Sequence, residues 1–126
     1  MALIQGQVVV ALDPFKDDES SSRPFLILNT SEHPYNGKQY LVTVISTQPH
    51  PEAVQITSED VENGDLHETS YVNPWAVTTI EADDIGQHIG FLDREIVANV
   101  LGKLGSVIEL QQPISQQNNQ HSKSQS

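Results

Sequence analysis

The chain has 126 residues and a formal net charge of −11, set by 17 acidic residues against six lysines and arginines. That length predicts a single domain with a real core. The lack of cysteine excludes disulfides, zinc–thiolate centres and thiol nucleophiles. No run of 18 apolar residues predicts a membrane span. The apolar start "MALIQGQVVVALDP" lacks the basic residues and cleavage site of a signal peptide, so a cytoplasmic protein is expected.

In chain order, "QVVVAL" (7–12) is a β-branched strand that ends at Asp13-Pro14. A polar, charged loop follows, then "PFLILN" (24–29) and "QYLVTVIST" (39–47), the latter closed by Pro49 and Pro51. "AVQI" (53–56) is a short strand. Beyond the turn at Asn63-Gly64-Asp65, "SYVNPWAVTTI" (70–80) reads as a strand broken or bulged at Pro74. Residues 81–85 predict one helical turn, and "HIGFL" (88–92) a last short strand. The one persuasive helix starts after Asp93, a plausible N-cap bridged by a Leu92–Val97 staple. Its stripe is Ile96, Val97, Val100, Leu101, Leu104, Val107 and Ile108. The expected fold is mainly β with a C-terminal helix, a small, strongly bent sheet or barrel over residues 1–110. Residues 111–126 are rich in Gln, Asn and Ser and are expected to form a disordered tail.

Acidity ordinarily argues against a phosphate-bearing partner, because counterion release needs lysine and arginine. The second reading of the same charge is a halophilic host. Surface carboxylates keep a protein soluble there, and screening at molar salt removes their repulsion. Nucleic acid therefore stays in play.

No glycine-rich phosphate loop and no paired metal motif occurs, so no cofactor and no metal is expected. Histidines 33, 50, 67, 88 and 121 read as solvent-facing, with a site built from His33, His50 and His67 as the alternative. The run "KDDES" (16–20) is a solvated loop or, alternatively, a cation site. Arg23 is delivered to the start of a strand, with Pro24 holding it extended. Its guanidinium is a permanently charged fork suited to a phosphodiester. An ion pair with a loop carboxylate such as Asp17, Asp18 or Glu19 is the reading that the residues alone favour. Ser46 and Thr47 end a strand as two hydroxyls that can hold a phosphate oxygen or a sugar hydroxyl; ordinary turn chemistry is the alternative.

The ordered set of these features resembles the MazF/PemK family of toxins. "GQVVVALDPFKDDESSSRPFLILN" is similar to the family's opening strand, Asp-Pro, variable loop, Arg-Pro and second strand. "VTVIST", "PEAVQI" and "GDLHETSYVNPWAVTTIEADDIGQHIGFLDREIVANVLGKL" resemble the remaining strands and terminal helix, so the likeness spans residues 6 to about 110. The resemblance implies an SH3-like barrel, a homodimer, and the toxin of a type II toxin–antitoxin pair held by a cognate antitoxin peptide. It also implies metal-independent cleavage of single-stranded RNA to a 2′,3′-cyclic phosphate and a 5′-hydroxyl. Arg23 then stands at the catalytic arginine's place, with Ser46, or Thr47 one residue on, as the catalytic hydroxyl. Trp75, Tyr71 and Thr78 fall on the RNA-binding strand. Two departures stand out: Gln7 where the family often has an acid, and Thr78 where it often has an arginine. The alternative is a degenerate binding module on the same barrel, for antitoxin, nucleic acid or protein. A gyrase-directed toxin of similar fold is a third reading, for which no residue speaks.

Overall fold

The structure is a computed structural model and describes residues 2–15 and 21–113. The run 16–20 and residues 114–126 of the expected tail lie outside the described residues. Seven strands precede one helix: β1 (Gln7–Leu12), β2 (Ser22–Ile27), β3 (Gln39–Ser46), β4 (Val54–Ile56), β5 (Val61–Glu62), β6 (Ser70–Glu81), β7 (Ile85–Leu92) and α1 (Arg94–Val107). All pair antiparallel in one sheet, in the order β4, β6, β3, β2, β1, β7, β5. The sheet curls into a half-barrel with the helix packed on one face, the mainly β fold with C-terminal helix expected.

The central strands read as unbroken apolar runs because both of their faces are buried. Val8, Leu26, Ile45 and Val72 point to the helix side and meet Val97 and Val100 of α1. Their neighbours Val9, Phe25, Ile27, Tyr40, Val42 and Val44 form a second core on the opposite face of the sheet. Gly6 leads the chain into β1 at φ 94°, a conformation that glycine adopts without strain. There its N–H donates to the Ile27 carbonyl (2.8 Å) and its own carbonyl accepts from Leu92 (2.8 Å), tying three strands together.

Asp93 caps α1 by accepting from the Glu95 N–H (3.1 Å). Leu92 and Val97 both enter the helix-side core, as a staple requires. The apolar stripe is buried only through its first turns. Val107 and Ile108 are 60% and 69% exposed, because the helix outruns the sheet that covers the rest.

β2 begins two residues earlier than its apolar content suggests. Ser22 and Arg23 pair with Leu12 and Ala11 of β1, while β3 joins β2 only from Phe25 onwards. At Arg23 and Pro24 the strand is therefore an edge, where a proline's missing N–H is tolerated. In β6 the bulge expected at Pro74 takes three residues. The register passes from Thr43–Val77 to Val44–Asn73 and leaves Pro74, Trp75 and Ala76 over. The buried hydroxyl of Thr43 lies between the Asn73 and Ala76 carbonyls and donates across this bulge. β5, only two residues long, carries too little periodicity to read in sequence; it is held by Val61–Leu92 and Glu62–Phe91 pairing.

Candidate active site

Strand alternation decides which candidate residues can meet. Phe25 and Val44 point to the face opposite the helix, so Arg23 and Ser46, two residues along, point the same way. The β2–β3 pairing stops at Phe25–Val44. Arg23 and Ser46 are the residues that this register would match two positions further on, where the two strands are no longer paired. Ser46 pairs with Tyr71 of β6, and Tyr71 with Gln55 of β4. Ser46, Tyr71 and Gln55 thus form one row across three paired strands on the face opposite the helix, and Arg23 extends it from the start of β2.

Arg23 holds an ion pair that the sequence reading did not foresee. Its Nε lies 3.3 Å from Asp13 Oδ2, with the arginine side chain 34% exposed and the aspartate side chain buried. Ala11 pairs with Arg23, so Asp13 just beyond it lies on the same face, opposite the helix. The expected loop partners Asp17, Asp18 and Glu19 lie outside the described residues. The sequence signal for Asp13 was available in the Asp-Pro that ends the first strand; it reads as turn chemistry because strand ends commonly carry it.

Ser46 is the last residue of β3, half-buried, and its Oγ accepts from the Gln48 N–H (3.0 Å). That bond is the local turn chemistry anticipated for it, and it leaves the hydroxyl proton to donate. Thr47 lies past the strand end and is exposed. One row inward, Asn73 faces the same side, and its Oδ1 is buried with no hydrogen-bond partner among the described residues. Asn73 is a polar position in an apolar strand that composition alone passes over.

The three remaining candidates separate. Tyr71 stands in the row with Ser46. Thr78 pairs with Val42, four residues along β3 from Ser46, or about 14 Å at the usual strand rise. Trp75, pushed out by the bulge and 43% exposed, lies on the helix side. There it lines a groove of about 350 Å³ with His50, Pro74, Lys103 and Val107. Gln7, the other departure, is buried and accepts from the Ile4 N–H through Oε1 (3.2 Å), a bond that an acid serves equally. Among the described residues no three His, Asp or Glu side chains gather as a metal site. Nor is any helix there long and apolar enough to cross a membrane.

The chain is thus a curled antiparallel half-barrel with a C-terminal helix, with Arg23 and Ser46 on the sheet face away from that helix. The structure is similar to an endoribonuclease in complex with its cognate antitoxin from a mycobacterial species, with TM-score 0.67 and 20% identity over 89% of this chain and 98% of that one. It is similar to MazF from Deinococcus radiodurans, with TM-score 0.68 and 17% identity over 87% and 99% of the two chains. It also matches the Mycobacterium tuberculosis toxin MazF-mt6, with TM-score 0.65 and 22% identity over 84% and 99%. At such identities these likenesses speak for the fold. No curated protein matches the chain in sequence. The family described as PemK-like, MazF-like toxin of type II toxin-antitoxin system matches residues 5–108. The chain belongs to that family.

Proposed function

We propose that the protein is an endoribonuclease toxin that cleaves single-stranded RNA at the Arg23–Ser46 row, without a metal ion. The observation that carries this reading is the placement of a permanently charged fork, a hydroxyl and a tyrosine on one face at one end of the sheet. In the reaction, the RNA 2′-oxygen bonds to phosphorus as the bond from phosphorus to the 5′-oxygen breaks. The 2′-oxygen loses a proton and the 5′-oxygen gains one, giving a 2′,3′-cyclic phosphate and a 5′-hydroxyl. Negative charge builds on the non-bridging oxygens in the transition state, and Arg23 is the group that stabilises it. Ser46 donates to the phosphate or the sugar and fixes their approach. Tyr71 offers a face on which the neighbouring base stacks. Residues 1–110 act as the working domain, as a cytoplasmic homodimer inhibited by a cognate antitoxin peptide. A halophilic host accounts for the charge of −11.

Thr78, uncharged and a whole strand segment from Arg23, favours the second reading, a binding module that no longer cleaves. One experiment separates the two. Purified protein is incubated with a long RNA in molar KCl containing chelator, and the new ends are mapped. Cyclic-phosphate ends at a fixed motif are expected; intact RNA that nonetheless binds the protein would instead establish the binding module.

A further inference from the structure

We propose that Asp13 is the positioning residue of Arg23, gripping its Nε so that the terminal nitrogens of the guanidinium are the ones offered to the phosphate. The inference rests on the reading of Arg23 as the catalytic cation and adds to it a residue that never touches RNA.

Asp13 is built to stay still. Aspartate is rarely buried unless paired, and Asp13 is the one buried carboxylate among the described residues, at 6% exposure. Its N–H donates to the Ser21 carbonyl (3.0 Å), closing the loop between β1 and β2. Its Oδ1 accepts from the Phe15 N–H (2.9 Å), a turn that fixes the side chain against its own backbone. Only Oδ2 is left over, and it faces Arg23 Nε at 3.3 Å. Among the described residues this is the sole ion pair, in a chain with 17 acids. Arg23 is held at Nε, while no described residue takes its terminal nitrogens. Those two nitrogens are the pair that bonds phosphate oxygens in parallel.

The charges show what the contact is for. A carboxylate beside the cation weakens its pull on a polyanion, so an arrangement made for affinity would leave Arg23 unpaired. A long, flexible side chain gains orientation from the grip, and orientation acts on the rate of the bound complex. Asp13→Asn keeps the shape and the Phe15 bond but removes the charge that holds Nε. It should lower kcat about 100-fold, the scale of a small misplacement of a reacting group. Binding should be unchanged or tighter.

The test uses the full chain and a short RNA carrying one site mapped in the cleavage assay. Turnover is measured on that RNA, and Kd on the same RNA with a 2′-O-methyl group at the scissile nucleotide, for wild type, Asp13→Asn, Arg23→Ala and the double variant. The expected result is a kcat loss without a Kd loss for Asp13→Asn, and a double variant no slower than Arg23→Ala. Wild-type turnover by Asp13→Asn, or an equal further loss in the Arg23→Ala background, would overturn the role of Asp13. Wild-type turnover by Arg23→Ala would instead sink the catalytic reading itself. A second measurement needs no variant. In ¹⁵N-labelled wild type the Arg23 Nε–H should exchange with water more slowly than that of exposed Arg94; equal exchange would show that Asp13 does not hold it.

Discussion

The imidazole of His50 packs on the indole of Trp75, with ring centroids 4.7 Å apart and planes at 54°, on the helix side of the sheet. Tyr71, four residues earlier in the same strand, stands on the other side beside Ser46. The three-residue bulge separates them, by turning Trp75 out towards Lys103 and Val107. Alanine at Tyr71 is therefore expected to weaken binding of an uncleavable RNA by about 1–3 kcal/mol, the value of one stacked base. Alanine at Trp75 should change RNA affinity less and instead lower stability by about 1 kcal/mol through the lost ring contact. Fluorescence anisotropy with labelled RNA, alongside urea unfolding, checks both. An equal affinity loss at the two positions would put the RNA path over the bulge.

Substitutions in the row should rank by what each side chain contributes. Arg23→Ala is expected to cost at least about 100-fold in cleavage, as for removal of one preorganised donor to a developing oxyanion. Arg23→Lys keeps the charge without the fork and should recover only part of it. Ser46→Ala should cost about 10-fold, the scale of one hydrogen bond to a charged group. Thr47, exposed past the end of β3, should tolerate alanine within about twofold, like other surface positions. Single-turnover cleavage with protein in excess gives all four values; a larger loss at Thr47 than at Ser46 would shift the active hydroxyl by one residue.

Much of this arrangement was legible because β-branched runs and proline carry strong local signals. β1, β3, the bulge at Pro74 and the cap at Asp93 follow from residues within a few positions of each other. Asp13 shows where such reading stops. Its turn is local, but its ion pair depends on β2 starting at Ser22 rather than Pro24, which the partner strand β1 decides. Trp75 and Thr78 read in sequence as members of one strand with Tyr71, and the bulge with its change of register sets the three apart. Register is a property of paired strands, and a single strand's composition does not contain it. Likewise the helical stripe names Val107 and Ile108 as core, although the sheet ends before them.

Gly64 is needed for a close approach that no local pattern reveals. A Cβ at this position would lie 1.6 Å from the Ile89 carbonyl oxygen, which is backbone and cannot swing away. Asn63 beside it already occupies the left-handed region, at φ 59°. The β5 edge lies against β7 through this contact, with Gly90 meeting Glu62 from the other side. Gly64→Ala is expected to destabilise the protein by about 3 kcal/mol, at the upper end for an overpacked site. Gly86→Ala is the matched control, because nothing lies within 4 Å of its Cβ. Urea midpoints compare the two; equal midpoints would mean that the β5 edge moves freely to make room.

Every described carboxylate other than Asp13 is at least partly exposed, so the described acidic charge is carried on the surface of a chain with net charge −11. At 0.1 M salt such charges repel over a Debye length of about 10 Å, whereas at 1 M it falls to about 3 Å. Repulsion is present in the compact state and relaxed in the unfolded chain, so screening favours folding. Raising KCl from 0.1 to 1 M should increase the unfolding midpoint by about 4 °C or more, equivalent to roughly 1 kcal/mol for a domain of this size. Salt also weakens phosphate contacts in proportion to their number. Only one cation stands in the row with Ser46, so the salt slope of RNA binding should be shallow and cleavage should persist at molar KCl. A flat midpoint combined with a steep loss of cleavage on adding salt would contradict the high-salt account and require further cations in the RNA path.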